Sequence, residues 1–361
     1  MIGRSARADE GVADTRGSAA AWALPLLLAL SMLVIVAGCL TGSVAIGLRA
    51  VFQALLLALG KLPGPPDGPT LILLTLRLPR VLAGFATGGL LAVAGALMQI
   101  LLGNPLAEPY VLGISGGAAV GALLAISSGL GLLGVKAGAL AGAMLAMVLI
   151  LWPMRNDRWR KRGPARRVSV AGASAIQANT LLLTGVVMAA GWGALVTLIL
   201  TLAPEARLRG MLFWLMGDLE GVQAWQPAAV GLLVLLACTG RLAADLNILL
   251  RGSLAAFALG VPVARRQGQL HLLAAAATAL AVTTAGTIGF VGLIIPHAAR
   301  RLFGHDQRVV LPASALLGGC LVSAADSVAR TLLQPVQLPV GVMMALLGVP
   351  AFLWLLRQER R

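Results

Sequence analysis

Side chains that could bind a metal or catalyse a reaction are scattered along this sequence. Its histidines are His271, His297 and His305, which have no ligand spacing to one another and no acidic cluster beside them. The sequence has no HExxH motif, no carboxylate pair and no GxSxG motif with a histidine placed to serve it. Its three cysteines lie far apart in apolar runs. We therefore predict no catalytic residues, no metal and no cofactor.

A nucleotide-binding loop is also missing from the sequence. The GxxxxGK[ST] loop that cradles phosphates needs a lysine followed by serine or threonine. None of the lysines, Lys61, Lys136 and Lys161, is followed by either residue. If ATP drives this protein, a partner must hydrolyse it.

The composition places the chain in a membrane. Of its 361 residues 59% are hydrophobic and only 11% are charged, too few to cover a soluble surface of this size. The net charge of +15 comes from basic residues at the ends of apolar stretches, which argues against nucleic-acid binding. The sequence thus predicts an all-α integral membrane protein in contact with the lipid bilayer.

Apolar stretches long enough to cross a bilayer recur along the chain, each close to the roughly 20 residues that a span needs. Val36–Cys39 could end a lipoprotein leader, but acidic residues precede it, so Trp22–Leu40 is better explained as a first helix. We predict about ten transmembrane helices: 22–41, 78–102, 110–128, 134–154, 179–202, 226–243, 269–286, 288–303, 309–330 and 339–357.

The basic residues orient these helices. An even number of spans puts both termini on one side, and placing that side in the cytoplasm leaves most of the 28 basic residues inside. Residues 1–21 and 358–361 are then cytoplasmic tails around a transmembrane domain at 22–357. Small residues at Gly84/Gly88, Gly113/Gly117/Gly121 and Gly138/Gly142 predict close helix contacts.

Three stretches carry polar or helix-breaking residues at membrane depth. The first runs from Arg77 to Pro109, and the second is the glycine-rich stretch 286–301 with Pro296, which predicts short or broken helices. In the third, Asp326 and Arg330 stand at i and i+4 and can pair on one helix face.

These stretches resemble a known family. RLPR at 77–80, NPLAEPYVLG at 104–113, GTIGFVGLIIPHAAR at 286–300 and LPVGVMMALLGVPAFLWLL at 338–356 are similar to the segments typical of FecCD-type permeases. The resemblance covers about 71–357. It implies the type II ABC importer permease architecture in a bacterial inner membrane, with a second permease subunit (a homodimer), two cytoplasmic ATPase subunits and a periplasmic binding protein.

The resemblance also assigns residues to contacts with those partners. Segment 250–262 resembles the family's coupling loop, a short helix and turn that docks on the ATPase through Arg251, Ser253, Ala256, Leu259 and Gly260. On the outer face Arg77, Arg80 and Arg330 match arginines that receive acidic residues of the binding protein. The alternatives are snorkelling to the headgroups and, for Arg330, pairing with Asp326. Gln177 and Asn179 fall where the family's pathway has its inner constriction.

The cargo is a separate question, because selectivity can lie in the binding protein. By resemblance we expect an iron chelate (siderophore) or haem, with cobalamin (vitamin B12) as the alternative. An ion-coupled secondary transporter is a distant alternative that needs ionisable residues at mid-membrane. The acidic candidates Glu108, Asp218, Glu220 and Asp326 all fall near span ends, which argues against it.

Overall fold

The computed structural model describes residues 5–42, 44, 46–58, 65–155, 170–333 and 336–359, and it contains no strand in these ranges. The α-helices of this part are α1 (Ser5–Leu40), α2 (Leu48–Ala58), α3 (Gly68–Ile72), α4 (Leu78–Leu102), α5 (Ile114–Ser127), α6 (Leu132–Arg155), α7 (Val170–Leu202), α8 (Glu205–Met216), α9 (Gln226–Leu249), α10 (Ser253–Ala258), α11 (Val263–Ala285), α12 (Val291–Phe303), α13 (Gln307–Thr331) and α14 (Val340–Glu359). The predicted all-α fold is confirmed.

Seven helical stretches of the described chain are long and apolar enough to cross a membrane: Trp22–Leu40, Gly68–Leu102, Leu132–Ile150, Leu183–Leu202, Gln226–Leu249, Val263–Ala285 and Gln307–Thr331. Two shorter apolar helices, Ile114–Ser127 and Val340–Leu355, and the 13-residue α12 account for the other three predicted spans. Several boundaries differ from the prediction, and the largest difference is at the second span. The helix predicted from Leu78 begins at Gly68, because a π-helical turn, Leu73–Arg77, joins α3 to α4 without a break.

Helix α4 forms the centre of the molecule, with α9, α11, α12 and α13 packed around it. In the most apolar 18-residue stretch of its membrane span 89% of the residues are buried, against 11% in the corresponding stretch of Leu183–Leu202. Both spans are apolar, so burial follows from small residues that admit neighbouring backbones. Gly88 faces the backbone of Gly318 in α13, and Gly95 faces that of Gly292 in α12.

Helices α5 and α6 pack in the way that their glycines predict. A Cβ atom added at Gly117 would overlap the backbone of Gly142, and one at Gly121 would overlap that of Gly138. These close approaches confirm the predicted contacts of Gly117, Gly121, Gly138 and Gly142. The predicted contact of Gly113 is wrong, because this residue precedes α5 with a φ of 65° and faces Met188 and Trp192 of α7.

Helices α5 and α12 are too short to cross the membrane alone. At 1.5 Å per residue, the 14 and 13 residues of these helices span only about 20 Å, whereas the hydrocarbon core is about 30 Å thick. Each follows an irregular segment, 103–113 before α5 and 286–290 before α12. The short or broken helices predicted for 286–301 are therefore confirmed.

Candidate functional site

The irregular segments before α5 and α12 hydrogen-bond to each other. The carboxylate of Glu108 accepts the backbone N–H of Phe290 (Oε1–N 2.8 Å). The hydroxyl of Tyr110 accepts the N–H of Ile288 (2.9 Å) and lies 3.0 Å from the same residue's carbonyl oxygen. Phe290 has a φ of 68°, which residues other than glycine rarely adopt. These contacts satisfy backbone groups that lipid would leave unpaired and stabilise the start of α12.

Gln99 of α4 joins the two segments from the core side. Its amide nitrogen lies 3.2 Å from the carbonyl oxygen of Gly292 and 3.4 Å from that of Ala107. Its carbonyl oxygen accepts a hydrogen bond from Arg300. The sequence identified both stretches as unusual. They lie almost 200 residues apart along the chain, so no local sequence pattern predicts that they pair.

A buried arginine cluster, defined as Arg77, Arg80, Asp326 and Arg330, joins α4 to α13. The carboxylate of Asp326 binds Arg80 (Nη2–Oδ1 2.8 Å) and Arg330 (Nε–Oδ2 3.0 Å), which confirms the predicted pairing of Asp326 with Arg330. Arg80 also donates to Gln337 (2.7 Å). The three arginines are 6–7% exposed and Asp326 is 1% exposed.

The same cluster holds the end of α1. Arg77 donates to the carbonyl oxygens of Cys39 (3.0 Å), Leu40 (2.9 Å) and Val44. Arg330 donates to those of Gly38 (3.1 Å) and Thr41 (3.3 Å). The last carbonyls of a helix lack partners within it and carry partial negative charge, so two guanidinium groups stabilise this end. Docking of a binding protein at Arg77, Arg80 and Arg330 stays a prediction. All three side chains already form hydrogen bonds within the chain, so a binding protein would meet arginines that are held in place.

The predicted coupling segment, 250–262, contains helix α10 between two glycines of positive φ, Gly252 (103°) and Gly260 (81°). Leu254, Phe257 and Leu259 are 55–65% exposed, whereas Ala256 is fully buried. Arg251 is exposed and Ser253 is half-buried. The exposed apolar side chains form a surface suited to a protein partner. Ala256 supports that surface from below.

Two polar contacts brace the helices on either side of this segment. Arg266 at the start of α11 binds Asp245 near the end of α9 (Nε–Oδ2 2.6 Å). Asn247 donates to Asp306, which caps α13 (2.8 Å), and accepts the N–H of Gln307 (2.8 Å). The hydrogen bond from Asn247 lowers the pKa of Asp306 from its ordinary value, so this carboxylate is charged at neutral pH. Sequence reasoning missed both braces, because each joins ordinary polar residues of different helices.

Two further predictions concern the pathway and metals. Gln177 and Asn179 lie on α7, in a stretch whose side chains are outside the described residues, so their role stays a prediction. Within the part of the chain that the structure describes, no three His, Cys, Asp or Glu side chains gather to hold a metal ion.

Comparison with known proteins identifies the family. The model of the FecCD transport family matches residues 27–358, nearly the whole chain. The chain belongs to the FecCD transport family. This FecCD permease is thus a multi-pass inner-membrane protein and a subunit of an ABC importer, in which a separate subunit hydrolyses ATP.

Individual relatives support this assignment. The permease is 41% identical over 303 residues to the cobalamin import system permease protein BtuC of Halobacterium salinarum, covering 82% of this chain and 76% of that protein. It is 37% identical over 335 residues to the uncharacterized ABC transporter permease protein YvrB of Bacillus subtilis, covering 90% and 91%. It is 37% identical over 290 residues to the vitamin B12 import system permease protein BtuC of Escherichia coli, covering 79% and 83%.

A solved structure supports the architecture. A metal-chelate type ABC transporter in an inward-facing conformation matches 94% of this FecCD permease, and the match spans 99% of that chain, with a TM-score of 0.75 and 27% identity. The type II importer permease architecture predicted from the sequence is therefore confirmed.

Proposed function

We propose that this FecCD permease forms the membrane pathway of an ATP-driven cobalamin importer. The observation that carries the proposal is the named cargo of two relatives, cobalamin in Halobacterium salinarum and vitamin B12 in Escherichia coli, at 41% and 37% identity. An iron siderophore or haem, which the sequence favoured by resemblance, has weaker support. Its support is the likeness to a metal-chelate type transporter at 27% identity, so this cargo class is the second candidate.

Uptake by the reconstituted importer distinguishes the two cargo classes. We expect proteoliposomes with the permease, its ATPase and its binding protein to accumulate labelled cyanocobalamin only when ATP is present. Excess unlabelled cyanocobalamin should abolish the signal, while a ferric siderophore and haemin should leave it unchanged. Uptake of a ferric chelate in place of cyanocobalamin would contradict the cobalamin proposal and favour an iron siderophore or haem as the cargo. Uptake driven by an ion gradient without the ATPase would contradict both.

The proposed assembly contains two copies of this chain, two ATPase subunits and a periplasmic binding protein, with both termini in the cytoplasm. Exposed apolar side chains on α7 and α14, including Val187 (70%) and Leu346 (64%), support a second subunit or lipid as neighbour. The coupling segment 250–262 then faces the ATPases. On the opposite face, the arginine cluster has three guanidinium groups and one carboxylate, of which only Arg80 and Arg330 bind that carboxylate, so it carries an excess of positive charge that would attract an acidic binding protein.

The coupling segment gives a prediction of its own. Leu259→Glu, at an exposed apolar position of this segment, is expected to weaken ATPase binding about tenfold or more. A charge there would have to be buried against the partner. Co-purification of the ATPase measures the effect. Leu302→Glu changes a leucine that is equally exposed (67%), at the end of α12, and should retain the ATPase.

Leu259 is a better test position than Gly260. Gly260 has a φ of 81° with open space around it, so any side chain there strains the backbone as well as adding bulk. Loss of the ATPase in Gly260→Trp would therefore have two explanations. If Leu259→Glu retains the ATPase at wild-type levels, the partner binds elsewhere than this segment.

A further inference from the structure

A cavity of about 630 Å³ opens between α6, α8 and the end of α11. Its size falls within the range of small-molecule sites. Its walls combine apolar, basic and acidic side chains. The lining residues are Leu132, Val135, Lys136, Ala206, Arg209, Gly210, Phe213, Trp214, Asp218, Glu220, Gly221, Val222, Thr283, Thr284 and Gly286.

The cavity lies at the membrane face opposite the coupling segment. Helix α11 starts beside that segment at Val263 and runs for 23 residues to Ala285, about 34 Å at 1.5 Å per residue. Thr283, Thr284 and Gly286, at its far end, line the cavity. The first turn of α6 forms another wall, and its Leu132 and Leu133 are 56% and 83% exposed. In a multi-pass protein whose helices cross the bilayer, this position is the headgroup layer of the leaflet opposite the coupling segment.

Four charged side chains line this cavity without neutralising one another. Lys136 and Arg209 are basic, and Asp218 and Glu220 are acidic. None of the four forms an ion pair with another within the described residues. Arg209 lies over the ring of Phe213, 5.6 Å from its centroid, and the carboxylate of Asp218 accepts the N–H of Glu220 (2.9 Å). The guanidinium of Arg209 and the carboxylate of Asp218 are thus held in place, and both keep hydrogen-bonding capacity for a ligand.

We infer that this cavity binds the headgroup of a zwitterionic phospholipid that carries a primary ammonium, such as phosphatidylethanolamine. Lys136 and Arg209 bind the phosphate, and Asp218 and Glu220 bind the ammonium, since charge-assisted hydrogen bonds are the strong ones. Leu132 contacts the glycerol and upper acyl chains. A purely anionic headgroup would meet two carboxylates without a cation of its own, and free phosphate would leave the apolar wall unused. The inference depends on the membrane location and not on the cargo.

Lipid binding to the purified permease tests this site. The detergent-solubilised chain is titrated with phosphatidylethanolamine, phosphatidylglycerol and phosphatidylcholine of identical acyl chains. Native mass spectrometry measures the binding of each lipid. We expect wild type to bind phosphatidylethanolamine about tenfold or more tightly than the other two, because only its headgroup pairs both charges by hydrogen bonds. The double variants K136Q/R209Q and D218N/E220Q should each lose that preference. K136R, which retains the charge, should keep it.

Matched controls are available on the same chain. Arg49 and Glu205 are exposed charged residues outside the cavity, so R49Q and E205Q should bind lipid as wild type does. If a double variant is not monodisperse, R209Q and E220Q alone serve, because both side chains are exposed. Equal binding of the three lipids, or wild-type preference in the variants, would overturn the inference. Displacement of phosphatidylethanolamine by cyanocobalamin would also overturn it, by assigning the cavity to the transport pathway.

Discussion

Asp326→Ala is expected to prevent most of the permease from reaching its folded state in the membrane. Asp326 is 1% exposed and is bound by Arg80 and Arg330, which are themselves buried. Removing it leaves guanidinium groups without a carboxylate, and breaking a buried ion pair in this way costs about 3–5 kcal/mol. Thermal unfolding and the yield of monodisperse protein measure the loss. Asp326→Asn should lie between alanine and wild type, because it keeps one of the two acceptor oxygens.

Asp67→Ala is the matched control for this variant. Asp67 is an exposed carboxylate that caps α3 by accepting the N–H of Thr70 (3.0 Å). Its loss removes a helix cap but uncovers no buried charge, so its effect should be much smaller. Wild-type thermal stability in Asp326→Ala would mean that the cluster does not hold α4, α13 and the end of α1 together. A folded Asp326→Ala that has lost only binding-protein affinity would assign the cluster to docking.

The second large effect is expected from Gly95→Ala. A Cβ atom at Gly95 would overlap the carbonyl oxygen of Gly292, so α12 would have to move away from α4. Overpacking of this kind costs about 1–3 kcal/mol, occasionally more. The shift would also stretch the hydrogen bonds from Gln99 to Gly292 and Leu293 (3.2 and 3.3 Å). We expect lower thermal stability and at least a several-fold loss of ATP-driven uptake.

Gly240→Ala provides the comparison for Gly95→Ala. Gly240 also lies inside a long helix, α9, but a Cβ atom there meets no atom within 4 Å. Alanine in an open helical position gains up to about 1 kcal/mol of helix propensity, so stability should stay level or rise. If both variants behave alike, the contact between α4 and α12 is not tight enough to constrain the permease.

The sequence alone determined the membrane location, the position of the spans and the stretches where helices break. These properties are local, because span length, apolar runs and breakers such as Pro296 act through a few neighbouring residues. Pairing of Asp326 with Arg330 was predictable for the same reason, since one helical turn brings them together. Four segments together also sufficed to predict the family.

The tertiary structure decided which of these elements meet. Asp326 also binds Arg80, 246 positions away along the chain, and no periodicity encodes such a contact. Ala256 turned out to lie beneath the exposed surface of the coupling segment, because one face of so short a helix packs inward. Helix α4 became the buried centre although its composition resembles that of lipid-facing helices. Burial within a membrane depends on close backbone approach, a property of helix pairs that single-helix patterns do not contain.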